Sequence, residues 1–130
     1  MNEQDKQLLL KDLCARLPYG VIIYHKNVNC DYNLVCVFED GRIGVKTKTN
    51  NIYLTPTSVY ECIPYLRPME SMTEEEEETW KFLCSTSGYD INERYMEDGI
   101  GWLHKHHLDY RNLIRKGLAL EAPEGMYINS

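Results

Sequence analysis

The residues best suited to chemistry lie in one short stretch, His104-Lys105-His106-His107. On a helix, His104 and His107 would share a face one turn apart. Two imidazoles placed this way can begin a zinc or nickel site, but such a site needs a third ligand. His25 or Asp109 supplies it only if the fold brings one of them close. Lys105 adds a repelling charge beside the pair, and the glutamate of a His-Glu-x-x-His metalloprotease is missing. The expectation is therefore no metal ligands, no cofactor and no catalytic residues. Trp102, His104 and His107 remain as candidates for binding.

Other stretches invite chemistry and have plainer explanations. Glu74 to Glu78 is an acidic run. These residues should open a helix, where carboxylates offset the positive dipole end, and consecutive side chains point around the helix rather than at one ion. Gly99-Ile100-Gly101 can contact a phosphate if it precedes a helix, but it lacks the third glycine of a dinucleotide loop. Serines, cysteines and histidines are present without the nucleophile settings of hydrolases. Ten tyrosines against two phenylalanines is unusual. Tyr19, Tyr24, Tyr32, Tyr53, Tyr60 and Tyr65 fall in or beside expected strands, either as a tyrosine-rich sheet face or as a recognition surface.

The elements that must position these residues are legible in outline. Leu9, Leu10, Leu13, Cys14 and Leu17 recur at helical spacing over about 3–17. Asp12 and Arg16 stand four apart in the favourable order, and Pro18 with Gly20 stops the helix. Val21-Ile22-Ile23-Tyr24, Leu34 to Phe38 and Ile43 to Lys48 read as strands. Asp40-Gly41 suggests a tight hairpin turn between the last two. Ile52 to Leu54 is a possible fourth strand, and Thr57 to Ile63 a strand or a turn of helix. Pro64 to Pro68 reads as a connector, since each proline pushes its predecessor out of the α region. A helix from Glu74 to about Ser87 has capping-box spacing at Thr73 and Glu76, carries Trp80, Leu83 and Cys84 on one face, and meets Gly88 as a C-cap. Asp98 can cap a further helix bearing Trp102 and His107, and Asp109 another over Tyr110 to Lys116.

Length and composition bound the class. A chain of 130 residues with 43% hydrophobic and 26% charged content suits one globular domain. The expected organisation is a single α+β domain over 1–130. An N-terminal helix packs on a small antiparallel sheet (about 18–66), which can curve into a barrel, followed by a C-terminal helical subdomain (about 71–117). The net charge of -6 argues against general nucleic-acid binding. No stretch reaches the roughly 20 apolar residues that span a bilayer, and the polar N-terminus does not resemble a signal peptide. The five cysteines, Cys14, Cys30, Cys36, Cys62 and Cys84, are odd in number and widely spread. They read as reduced, mostly buried thiols of a cytoplasmic protein.

Three stretches carry a resemblance. They are Leu8-Leu9-Leu10-Lys11-Asp12-Leu13-Cys14-Ala15-Arg16-Leu17-Pro18-Tyr19-Gly20-Val21, then Pro64-Tyr65-Leu66-Arg67-Pro68-Met69 with Ser71 to Glu76, and Asp109-Tyr110-Arg111 with Leu113-Ile114 and Gly117 to Pro123. As a set they resemble a family of small uncharacterised proteins encoded by phages and prophages of gut Bacteroidales. The resemblance implies context, an accessory protein made inside an infected or lysogenic bacterium, and carries over no site residues. The expected function is a non-enzymatic protein-interaction module with a host or phage protein as partner. Exposed tyrosines and the Trp102 region would form its contact surface. The alternative is a small-molecule, nucleotide-type binder, and a metal-dependent enzyme ranks below both. A large concave pocket with convergent polar groups would favour the small-ligand reading.

Overall fold

The computed structural model describes residues 1–89 and 93–127, with residues 85–89 and 93–98 described by their backbone alone. The first helix, α1 (Glu3–Arg16), starts where Asn2 can cap it: the Asn2 side-chain oxygen accepts the Asp5 N–H at 2.7 Å. Glu3 and Asp5 occupy its electropositive first turn. A 3-10 turn over Leu17–Tyr19 follows, and Gly20 at φ +79° ends the helical path, as Pro18 and Gly20 predict. The buried face is rotated from the expected stripe. It consists of Leu9, Asp12, Leu13 and Arg16, while Cys14 is exposed.

Seven strands follow: β1 (Ile22–His25), β2 (Cys30–Val37), β3 (Arg42–Thr47), β4 (Thr57–Ser58), β5 (Cys62–Pro68), β6 (Leu108–Asp109) and β7 (Leu120–Glu121). Their order is β4-β3-β2-β1-β5-β6, with β7 also on β5. Pairing is antiparallel from β4 to β5 and parallel for β6 and β7. The sheet is open and does not close into the barrel the sequence suggested. Closure needs two long edges to pair, whereas the edges here, β4 and β6, are two residues each. The β2–β3 hairpin forms at Asp40-Gly41 through a three-residue loop, with only Gly41 left-handed (φ +89°). Gly44 faces a register shift near Cys36, where a Cβ would come within 2.6 Å of the Cys36 sulfur. Ile52 to Leu54 contributes a single bridge, Tyr53 to Lys46, and not a fourth strand.

The expected connector Pro64 to Pro68 is the C-terminal part of β5, the strand on which the rest of the sheet converges. The dihedral restriction that keeps residues before proline out of the α region also suits extended strand. The Leu66 carbonyl accepts the Ala122 N–H at 2.8 Å, and the neighbouring Arg67 N–H donates to the His107 carbonyl at 2.8 Å. Those two groups of one peptide point in opposite directions, so β7 and β6 flank β5 on opposite sides. The sheet therefore takes in residues far beyond 66.

Among the described residues, two more helices follow, α2 (Glu74–Tyr89) and α3 (Glu93–Lys105). Helix α2 runs through Gly88 without stopping. Helix α3 begins before Asp98, so Asp98, Gly99 and Gly101 lie inside it and do not open it. The expected helix over Tyr110 to Lys116 is a set of turns. Asn112 is left-handed (φ +59°), and the Asp109 carboxylate takes the Leu113 and Ile114 N–H groups, each at 2.9 Å, in place of a helical ladder. The core joins α1 to the sheet and the C-terminal turns through Leu9, Leu13, Ile23, Val45, Leu66 and Leu113. Cysteine burial departs from expectation: Cys62 is buried, Cys36 is half-buried, and Cys14, Cys30 and Cys84 are exposed. All five are free thiols. Among the described residues, no helix is long and apolar enough to cross a membrane.

Asp12 and Arg16 form an ion pair with no solvent exposure on either side chain. Arg16 Nε lies 2.8 Å from Asp12 Oδ2, and its Nη2 donates to the Leu108 carbonyl at 2.7 Å. Arg111 Nε stands 3.3 Å from the other Asp12 oxygen. Breaking such a pair strands a buried charge, which costs about 3–5 kcal/mol, whereas replacing both partners by apolar residues is often nearly neutral. Arg16→Met should lower the urea midpoint sharply, and Asp12→Leu combined with Arg16→Met should recover much of the loss. A single variant that unfolds like the parent protein would contradict this burial.

Candidate functional site

A cleft of about 1040 Å³ lies between the end of β5, the start of α2, the end of α3 and the segment after β7. Each wall has a local cause. Thr73 and Glu76 make the capping box their spacing predicts: the Glu76 N–H donates to Thr73 Oγ1 at 3.1 Å, and the Thr73 N–H donates to Glu76 Oε1 at 2.9 Å. That fixes Glu76 in the first turn of α2, facing β5. Arg67, at the end of β5, meets it with a two-pronged contact, Nη2 to Oε1 at 2.7 Å and Nη1 to Oε2 at 2.9 Å. The remaining reach of the guanidinium goes to the His106 and Ser71 carbonyls, each at 3.2 Å. Hydrogen bonds from Arg67 hold the Glu76 carboxyl at about 2, far below the usual carboxylate range.

His106 follows α3 directly. Its Nδ1 lies 3.1 Å from Glu76 Oε2, and its ring sits 4.4 Å from that of Trp102. Trp102 in turn stacks on Trp80 with planes 15° apart and centroids at 6.0 Å. Burial lowers the His106 pKa, against the opposing pull of Glu76. The imidazole is therefore neutral at neutral pH, with Nδ1–H donating to Glu76, which leaves Nε2 as the unprotonated nitrogen. Ser71 and Thr79 line the same space, but their hydroxyls donate to the Pro68 carbonyl (2.7 Å) and the Glu75 carbonyl (3.1 Å). Glu75, Glu121 and Glu124 are exposed carboxylates on the rim.

Of the three residues singled out from the sequence, the structure brings only Trp102 to the cleft. His104 is buried, with Nε2 2.7 Å from the Tyr110 hydroxyl, which also accepts from Arg111 at 2.8 Å. His107 lies past the end of α3 at φ +61°, so it does not continue the face of His104. Its ring stacks on Tyr127 at 3.7 Å. His25, the remote third-ligand candidate, bonds Thr57 and the Asn27 N–H on β1. Asp109 is occupied by backbone N–H groups. Among the described residues, no group of three or more His, Cys, Asp or Glu converges as a metal site would require. The sequence reading missed His106 and Arg67. The i, i+4 relation of Trp102 to His106 was readable, but the partnership of Arg67 with Glu76 depends on tertiary packing. Compared with protein-family models, curated proteins and solved structures, the chain finds no match.

Burial, then the nearby Arg16 cation, pushes the His104 and His107 pKa values down to about 4. An unfolded imidazole takes its proton near 6.5. Between those values the unfolded chain binds protons that the folded one refuses, so stability is complete above about 6.5 and falls as pH drops toward 4. Glu76 acts in a lower window: its contribution is present above its ordinary 4.5 and is lost as pH falls toward 2. The urea midpoint should therefore decline steadily between pH 7 and pH 4, by an amount corresponding to at most about 3 kcal/mol per histidine. A His104→Gln, His107→Gln variant should show a flatter profile over that range. A parent profile flat from pH 7 to pH 4 would contradict the buried neutral histidines.

Proposed function

We propose that this protein is a non-enzymatic binding module whose cleft receives a cationic group. The observation that carries the reading is the charge bookkeeping of that cleft. Among the described residues that line it, Arg67 spends its donors on Glu76, His106 and Ser71, while Glu75, Glu121 and Glu124 remain exposed. Trp102, His106 and Tyr127 supply aromatic surface in the same walls. Carboxylates with aromatic rings favour ammonium and guanidinium groups. Among the described residues that line the cleft, a phosphate would meet three exposed carboxylates and no cation besides the engaged Arg67, so a nucleotide-type ligand fits it poorly. The Ser71 and Thr79 hydroxyls donate to backbone carbonyls, so neither is paired with His106 as an activated nucleophile would be. The resemblance to phage and prophage proteins supplies the setting we propose, the cytoplasm of an infected or lysogenic bacterium.

Calorimetric titration with Nα-acetyl-lysine amide at low ionic strength tests this. Binding should weaken about tenfold on adding 0.2 M salt, because exposed charges are screened beyond about 7–8 Å there. Glu124→Gln, at an exposed position outside the helices, should weaken it without changing the melting temperature. Tighter binding of adenosine monophosphate than of the lysine derivative would overturn the cationic reading.

A further inference from the structure

A second, smaller cleft of about 490 Å³ adjoins the first. Pro68, Ser71 and Glu121 line both, so the two clefts border one another across the C-terminal end of β5 and together offer a groove. A single lysine side chain fills only part of such a groove. The far section adds Glu70 and Asn112, both exposed. It also holds Arg115, but Glu70 and Glu121 beside it keep the section net acidic. We infer that the groove holds an extended, lysine- or arginine-bearing polypeptide segment of a partner protein, with one cation in the Trp102 cleft and the chain continuing past Glu121 toward Asn112. This deepens the cation-binding reading above and rests on it.

Two features favour a polypeptide over a simple polyamine. The Asn112 side-chain amide, a donor and an acceptor together, makes no hydrogen bond among the described residues, and it matches the donor and acceptor of a peptide unit. Thr73 Oγ1 accepts the Glu76 N–H and still has its own proton to donate at the other end of the groove. A polyamine has donors only and cannot use either donor.

The test compares three probes by calorimetry on the full chain: Nα-acetyl-lysine amide, spermine, and a peptide of about eight residues alternating lysine and glycine, long enough to cross both sections at ~3.3 Å per residue. Two variants act on the far section alone. Glu70→Gln removes a carboxylate, and Asn112→Gly removes the amide while suiting the left-handed backbone already present at φ +59°. The peptide should bind about tenfold or more tighter than the lysine derivative, as linked contacts predict. Both variants should cost the peptide several-fold and leave the lysine derivative unchanged. If the peptide binds no tighter than the lysine derivative, the extended groove is wrong and the cationic cleft stands. If spermine equals the peptide and ignores Asn112→Gly, the groove reads charge alone and the polypeptide assignment is overturned. If none of the three binds, the cationic cleft falls as well.

Discussion

The structure depends on one buried cation. Arg16, at the last turn of α1, is removed from water together with Asp12, and it reaches across to the Leu108 carbonyl of β6. That hydrogen bond joins the N-terminal helix to a strand 92 residues later in the chain. Taking both charges out of water is costly, and the cost is recovered only where every partner is held in place. Burial pushes the Asp12 carboxyl upward even with Arg16 and Arg111 pulling it down. The pair is better understood as a specifying contact than as a source of stability. It fixes which face of α1 meets the sheet and which turn of the C-terminal segment lies against it.

The cleft inherits its geometry from that anchor. With Leu108 fixed, the preceding turn is fixed too, and His107 is held left-handed with its carbonyl on the Arg67 N–H. Arg67 is then placed to receive Glu76 from the first turn of α2, and Glu76 receives His106. Three neighbouring histidines thereby acquire three different roles. His104 belongs to the Tyr110–Arg111 network, His107 to the Tyr127 stack, and His106 alone to the cleft. Burial, and after it the Arg16 charge, keeps the two buried imidazoles neutral, which avoids a cluster of cations in the interior.

The α+β class and the N-terminal helix were legible because α1 has apolar periodicity and an unambiguous stop at Pro18. The three main strands were legible from β-branched runs and the Asp40-Gly41 turn. The capping box at Thr73 and Glu76 was legible from spacing alone. What the sequence concealed has a common physical origin. Asp12 and Arg16 at i, i+4 look like a solvated pair, and only tertiary packing reveals them as core. Pro64 to Pro68 looks like a connector because local dihedral restrictions cannot distinguish a loop from a strand. Helical periodicity placed His104 and His107 on one face, but α3 ends at Lys105, where the chain bends to give His107 to the sheet. Arg67 carried no local signal, since its side-chain partners are Glu76 on the next helix and the carbonyls of Ser71 and His106.

The central claim is that His106, and not the neighbouring His104 or His107, faces the binding space, held neutral with its Nδ1 proton on Glu76. Nitrogen-15 NMR of the histidine rings, recorded with and without Nα-acetyl-lysine amide, tests it most directly. The account predicts a neutral His106 with Nδ1 protonated at pH 7. Its Nε2 resonance and the Trp102 indole signal should shift on titration, while the His104 and His107 rings stay unmoved. Shifts confined to His104 or His107, or a His106 protonated at Nε2 without contact to Glu76, would contradict it.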